Sequence, residues 1–239
     1  MSNYERLVND PRFWSALEHN AIWVAMSVFV ISLGLVLAVI LHQAHPRGGG
    51  VYRVIFFLPY TLTPVLVGIV WKWMYHPVWG PLNAVLRQIG LGNLARGWLG
   101  DTDTALLALT VAANWVGHGF TMMLFLAGLA SIDPALYDAA SVDGAGPLRK
   151  FRHVTLPGLA NTFNVVVLVV FIATVRVFDM VFVTTKGGPL NATEVLGTYI
   201  HWRTFESLDV GYGAALSVAT ALIILCASVL YLWQRERRG

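Results

Sequence analysis

The chain has 239 residues, of which 56% are hydrophobic and 12% charged, with a formal net charge of +3. Soluble domains carry roughly 25% charged residues, so a water-facing globule of this size is excluded. The single Cys226 excludes a disulfide framework and a thiol metal site, and its place in an apolar run reads as a small packing residue.

The start, Met1 to Asn20, is mixed polar and carries Glu5, Arg6, Asp10, Arg12 and Glu18. It lacks the basic region, short apolar core and small-residue cleavage site of a signal peptide. Five apolar runs follow. Ala21–Leu41 has no charge in 21 residues, and Val54–Trp71 has none in 18 but is broken by Pro59 and Pro64. Thr104–Ile132 has none in 29, Gly158–Val175 is uncharged and continues through Arg176 and Asp179 toward Thr184, and Val210–Trp233 has none in 24. A membrane helix needs about 20 apolar residues, and each central charge costs about 2.5–3.5 kcal/mol to insert. The expected fold is an all-α membrane protein with five transmembrane helices, at about 21–41, 54–74, 104–131, 158–183 and 210–233.

Lys and Arg set the orientation. The segment His42–Arg53 holds Arg47 and Arg53, the loop 131–157 holds Arg149, Lys150 and Arg152, and the tail holds Arg235, Arg237 and Arg238. With five spans these share one side, which is therefore cytoplasmic, and the N-terminus lies outside. Arg6, Arg12, Lys72, Arg87, Arg96, Lys186 and Arg203 are spread over the longer outer segments. Trp14, Trp23, Trp71, Trp73, Trp79, Trp98, Trp202 and Trp233 sit near span ends, as in an interfacial belt.

Signals for catalysis are weak. Gly48-Gly49-Gly50 and Gly187-Gly188 are not followed by the Lys-Ser or Lys-Thr of a phosphate-cradling loop. His42 and His45 have no third ligand nearby, so no metal site is expected. The loop Ser131–Pro157 is more informative. Asp133 suits an N-cap and Pro134 a first helical position. Leu136, Ala139, Ala140 and Val142 supply a small-residue face, and Gly144 can end the helix with a left-handed cap. A short helix from Pro134 to about Val142 is predicted, shaped for docking on a partner. A helix resting passively on lipid would want a larger apolar face and more basic residues.

Asp138-Ala139-Ala140, three residues, Gly144, nine residues, then Val154-Thr155-Leu156-Pro157 resembles the EAA loop of ABC importer permeases. Asp138 stands for the usual Glu and Val154 for the usual Ile. Phe56-Phe57-Leu58-Pro59, Thr63-Pro64-Val65 with Gly68 and Trp71, and Phe125-Leu126-Ala127-Gly128-Leu129 also resemble the sugar and glycerol-phosphate type. So do Val177-Phe178-Asp179, Thr185-Lys186-Gly187-Gly188-Pro189, Tyr199-Ile200 and Gly211-Tyr212-Gly213.

The resemblance implies one transmembrane permease domain over 1–239 in a bacterial or archaeal plasma (inner) membrane, with a short cytoplasmic coupling helix. It implies a second permease subunit, usually different, an ABC ATPase dimer carrying ATP and Mg, and an extracytoplasmic solute-binding protein. No cofactor on this chain, no enzyme activity of its own and no nucleic acid are implied. The coupling positions it implies are Asp138, Ala139, Ala140, Asp143 and Gly144, with Leu156 and Pro157 tying the loop to the next span. The family usually has six spans. Five here point to a first span that is missing upstream, the polar start then reading as the outer loop after it.

Polar groups inside spans are costly and mark a transport path. Asn114, His118, Asn161, Asn164, Arg176 and Asp179 are the candidates, with Thr121, Thr162 and Thr174 beside them. Two plainer readings stand against this. Arg176 and Asp179, three apart, can pair on one helix, and the asparagines can bond across helices. An ion-coupled carrier or channel without an ATPase is the alternative function, and it wants more paired charges deep in the spans. A membrane-embedded enzyme wants a His or carboxylate constellation that the sequence lacks.

Overall fold

The computed structural model describes residues 2–44 and 48–237. His45 of the histidine pair, and Arg47 and Arg238 of the basic bias, lie outside the described residues. The elements are all helical. In chain order they are α1 (Ser2–Val8), α2 (Pro11–Ala44), α3 (Gly49–Phe57), α4 (Pro64–Met74), α5 (Pro81–Gln88), α6 (Ala105–Ala130), α7 (Pro134–Val142), α8 (Ala160–Val175), α9 (Asp179–Thr184), α10 (Leu196–His201) and α11 (Val210–Glu236). Short helical turns fill several connections, at Leu58–Thr61, Gly92–Leu94, Pro147–Lys150, Phe151–Thr155, Leu156–Gly158 and Trp202–Glu206.

Four stretches among the described residues are long and apolar enough to cross a membrane: Pro11–Ala44, Ala105–Ala130, Ala160–Thr184 and Val210–Arg235. The expected span at 54–74, broken by its prolines, is a bent pair, Gly49–Thr61 and Pro64–Met74, which makes up to five spans if the pair counts as one. The break has a local cause. Pro64 has no N–H for a continuing ladder, and Thr63 restarts the chain as an N-cap, its hydroxyl accepting from the Leu66 N–H at 3.4 Å.

Contacts divide the chain into two units. One comprises Met1–Ser27, Leu62–Asn114 and Phe171–Gly239. Its core gathers Leu7, Phe13, Ala16, Leu196, Tyr199, Tyr212 and Leu216. Here the polar start is helical, in α1 and the first turns of α2. Asp10 precedes Pro11 and accepts the Arg12 N–H at 3.0 Å, which begins α2 ten residues ahead of the apolar run. Two polar side chains of that first stretch, Arg12 and His19, bond a distant part of the chain. Arg12 grips Glu194 through two bonds of 2.6 and 2.7 Å, and the His19 ring nitrogen Nδ1 lies 2.7 Å from the Glu194 carbonyl.

The helix through Arg176 also differs from expectation. It stops between α8 and α9, so Arg176 and Asp179 are not neighbours on one helix, and no ion pair joins them among the described residues. Buried Asn20 supports that interruption. Its Nδ2 donates to the freed Val175 carbonyl at 3.2 Å, and its Oδ1 accepts the Leu196 N–H at 2.8 Å at the start of α10. One side chain thus satisfies groups that two helix ends leave open.

The second unit comprises Val28–Thr61 and Trp115–Val170. Its core is Val30, Leu35, Ala38, Leu41, Met122, Phe125, Leu126, Leu129, Ile132, Leu159, Val166 and Val170. Small residues let helices approach where lipid gives no hydrophobic drive. A Cβ on Gly119 would lie 2.0 Å from the Phe56 carbonyl oxygen, so only glycine fits there.

Two smaller expectations are corrected. Cys226 is exposed rather than packed inside, on a last helix that also leaves Leu222, Leu225, Val229 and Leu230 uncovered. Such a face suits lipid or a partner helix. Trp23 is 4% exposed, an interior residue and not part of an interfacial belt.

Candidate functional site: the capped helix and its tie to the next span

Helix α7 forms because its ends are specified locally. The Asp133 carboxylate accepts the Ala135 N–H at 2.9 Å, and Pro134 occupies the first turn. At the other end Gly144 takes φ +71°. The Ala145 N–H reaches the Ala140 carbonyl at 2.9 Å and the Gly144 N–H reaches Ser141 at 3.0 Å, the paired bonds of a Schellman stop. An L side chain is strained at that φ, which is why glycine stands there.

Most of the nine residues of this helix are exposed. Asp138, Ala139, Asp143 and Gly144 are exposed, and Ala140 is half-buried. Val142 is 88% and Leu148 79% exposed.

The inner face is tied down. The Tyr137 hydroxyl lies 3.1 Å from the Thr155 hydroxyl. Ser141 donates to the Tyr137 carbonyl, and the Lys150 ammonium donates to Ser141 at 2.6 Å. Tyr137, Phe151, Val154 and Leu156 pack on the second unit's core. The connection expected as loop is itself helical, through Pro147–Lys150, Phe151–Thr155 and Leu156–Gly158. Pro157 therefore lies inside a helical turn, and the long helix of the span begins at Ala160. A cavity of about 360 Å³ opens beside this assembly, lined by Val39, His42, Gln43, Leu129, Tyr137 and Lys150 among others.

Sequence reasoning named the exposed face of α7 and missed the tie. Tyr137, Ser141, Lys150 and Thr155 carry it. Tyr137 was readable in principle, as the one large aromatic in a run of small residues.

The pathway candidates divide between the two units. Asn114, Arg176 and Asp179 belong to the first unit. Asn114 donates to the Met26 carbonyl at 3.1 Å, a bond between helices, and Arg176 and Asp179 are exposed. His118, Asn161 and Asn164 belong to the second unit. Asn161 is exposed and Asn164 half-buried. His118 is buried beside Phe56, at 6.2 Å between rings, and its Nδ1 has no hydrogen-bond partner among the described residues. No His, Cys, Asp and Glu grouping suited to a metal occurs among the described residues.

Residues 22–238 match the family described as the binding-protein-dependent transport system inner membrane component. The chain belongs to that family. It is 33% identical over 232 residues to the probable ABC transporter permease protein YurN of Bacillus subtilis, covering 96% of this chain and 80% of that one. It is 33% identical over 241 residues to the lactose transport system permease protein LacF of Rhizobium radiobacter, covering 99% of this chain and 80% of the relative. A crystal structure of a bacterial ABC transporter involved in the import of alginate shares the fold. Its TM-score is 0.90 at 22% identity, over 99% of this chain and 83% of that one. The chain is thus an ABC-type membrane permease component.

Proposed function

We propose that this chain is one of two different permease subunits of a carbohydrate importer, and that α7 is the contact through which a separate ATPase drives it. The observation that carries this is the capped, exposed helix with Asp138, Ala139, Ala140, Asp143 and Gly144 on its free side and the Tyr137–Thr155 tie on the other. A free helix end would absorb a push from the ATPase. A helix bonded to the segment leading into Ala160 passes it on.

ATP and Mg belong to the ATPase in this reading, and a solute-binding protein delivers substrate from outside. Relatives such as LacF support carbohydrate as the cargo. His118 and Asn164 are proposed to line the path, with Asn114, Asn161, Arg176 and Asp179 as further candidates. The membrane is the bacterial or archaeal plasma membrane.

The test is co-purification of the ATPase in mild detergent, with wild type and with Gly144→Trp. A tryptophan is strained at the φ of Gly144 and adds bulk to the exposed end of α7, so the variant is expected to lose the ATPase while wild type keeps it. A wild-type permease that retains no ATPase overturns the proposal.

A further inference from the structure

The connection between α4 and α6 lies on the side that the basic-residue bias assigns to the outside, and it is held on a fixed frame. Asn83 is fully buried. Its Nδ2 donates to the Pro77 and Arg96 carbonyls at 3.2 and 2.9 Å, and its Oδ1 accepts the Trp98 indole N–H at 2.8 Å. Arg87, one turn on, donates to the Pro77 and Val78 carbonyls at 3.1 and 3.3 Å. The Val78 and Trp79 N–H groups reach His76 Nδ1 at 3.3 and 3.4 Å. Gly80 makes the close turn, since a Cβ there would lie 2.4 Å from the His76 carbonyl oxygen.

The backbone of this tip is tied while its apolar side chains are bare. Val78 and Trp79 are 72% and 71% exposed. On α5, Asn83 and Arg87 are four apart and share the face that bonds back to the frame. Val85 lies on the opposite face, with Ile89 one turn later at the helix end, and both are exposed. Leu91 and Leu94 are exposed beyond them.

Exposure alone does not name what covers such a surface. Two further observations do. The first is continuity with α4. That helix buries Val67 and Gly68 and leaves Val65, Leu66, Ile69, Val70 and Trp73 exposed. The exposed five repeat at helical spacing along one face, the lipid-suited stripe of a spanning element. The stripe ends at Trp73, five residues before Val78. The second is charge. From Lys72 to Gly100 there is no Asp or Glu, and the charged residues are Lys72, Arg87 and Arg96. A short amphipathic helix with Trp and aliphatic residues on one side and basic residues elsewhere is the composition of an element that lies in the membrane interface, its apolar face about 5–10 Å into the headgroup boundary. Helix α7 has neither the apolar face nor the tryptophan.

We propose that the segment 78–94 is a membrane-surface anchor, with Val78, Trp79, Val85 and Ile89 set into the outer leaflet beside the end of α4 and the basic side chains favouring an anionic lipid surface. The anchor holds the outer end of α4 at a set depth. It is independent of what the transporter carries.

The test uses the assembled transporter in nanodiscs of phosphatidylethanolamine and phosphatidylglycerol. Cys226 is the single cysteine, so Cys226→Ser gives a clean background. Val78→Cys, Ile89→Cys and, as the water-side control, Asp103→Cys are each labelled with nitrobenzoxadiazole. All three positions are exposed, so the label does not disturb the interior. At Val78 and Ile89 the label is expected to lose fluorescence to a lipid carrying a nitroxide near its headgroup and to be shielded from aqueous iodide. At Asp103 the reverse is expected. Iodide reaching all three labels equally overturns the anchor. So does a label at Val78 or Ile89 that both quenchers miss, which would mean a protein cover, or one that leaves water only when the solute-binding protein is added.

Discussion

The α7 loop and the segment around Asp10 are both polar assemblies at helix ends, yet they are held by opposite means. At α7 every bond spans a few residues up to the 18 between Tyr137 and Thr155. Around Asp10 the partners are far away in sequence. Arg12 and Glu194 are 182 residues apart, and Asp10 and Tyr212 are 202 apart. Arg6 bonds Asp209 at 2.7 Å, and its guanidinium also lies over the Tyr212 ring. The Asp10 carboxylate accepts from both Tyr199 and Tyr212, with Arg203 at 4.0 Å. The first region leaves Asp138, Ala139, Asp143 and Gly144 exposed. The second clasps α1 and the start of α2 to the segments around Glu194, Tyr199 and Asp209–Tyr212.

That contrast is broken most forcefully at Arg12. The Glu194 side chain is 5% exposed, so losing Arg12 leaves an uncompensated charge inside the protein. Arg12→Ala is expected to destabilise by about 3 kcal/mol, the low end for a buried pair because Arg12 itself is partly exposed. A thermal melt in detergent measures it. Pairing Arg12→Met with Glu194→Leu should recover most of the loss, whereas a double variant no better than Arg12→Ala would show that the pair is not what holds the clasp.

Acid should loosen the clasp as well. Burial pushes the Asp10 carboxyl up, but the hydrogen bonds from Tyr199, Tyr212 and the Arg12 N–H, with Arg203 nearby, outweigh it and leave the group below its ordinary 3.8. The unfolded chain then binds the proton more readily than the folded one. The stabilisation is complete above the ordinary carboxylate range and is lost as pH falls through the lower folded value. Protection of the Ser2–Val8 amides, taken relative to their intrinsic exchange rate at each pH, should hold from neutral pH down to that range and fall below it. Asp10→Asn should remove the acid step. Exchange that is already fast at neutral pH would mean that the clasp does not hold α1.

The same division explains what was legible in the sequence. Asp133, Pro134 and Gly144 announce α7 because caps act within one turn of the residues that make them. The uncharged runs announce the long apolar helices, four of them continuous and the fifth a bent pair, because each span must be apolar along its own length. The break at Leu62–Thr63 was half-legible, since Pro64 was visible but its partner cap was not weighed. Nothing local marks Asn20 as the link between Val175 and Leu196, or Glu194 as the anchor of Arg12. Those residues read as ordinary loop polar groups until the chain ends meet. Arg176 and Asp179 show the reverse error, a three-residue spacing that means contact only if the helix continues.

Two smaller changes sharpen the comparison on the α7 side. Asp133→Ala removes the cap and should cost about 1 kcal/mol of local stability, seen as faster hydrogen exchange over Pro134–Val142 with no change in the melt of the whole protein.

Tyr137→Phe should change stability least and function most selectively. It deletes one partly buried hydroxyl, for which about 0.5–1 kcal/mol is the usual effect, and it keeps the aromatic ring that packs on the core. The exposed face of α7 is untouched, so the ATPase should still co-purify. What is lost is the bond that joins α7 to the segment entering the next span. ATP hydrolysis by the assembled transporter should therefore become less responsive to solute-loaded binding protein, while the unstimulated rate changes little. The stimulated-to-basal ratio in proteoliposomes reads this directly. A ratio equal to wild type would show that packing alone couples α7 to the span, and the Tyr137–Thr155 bond would be reduced to a local support.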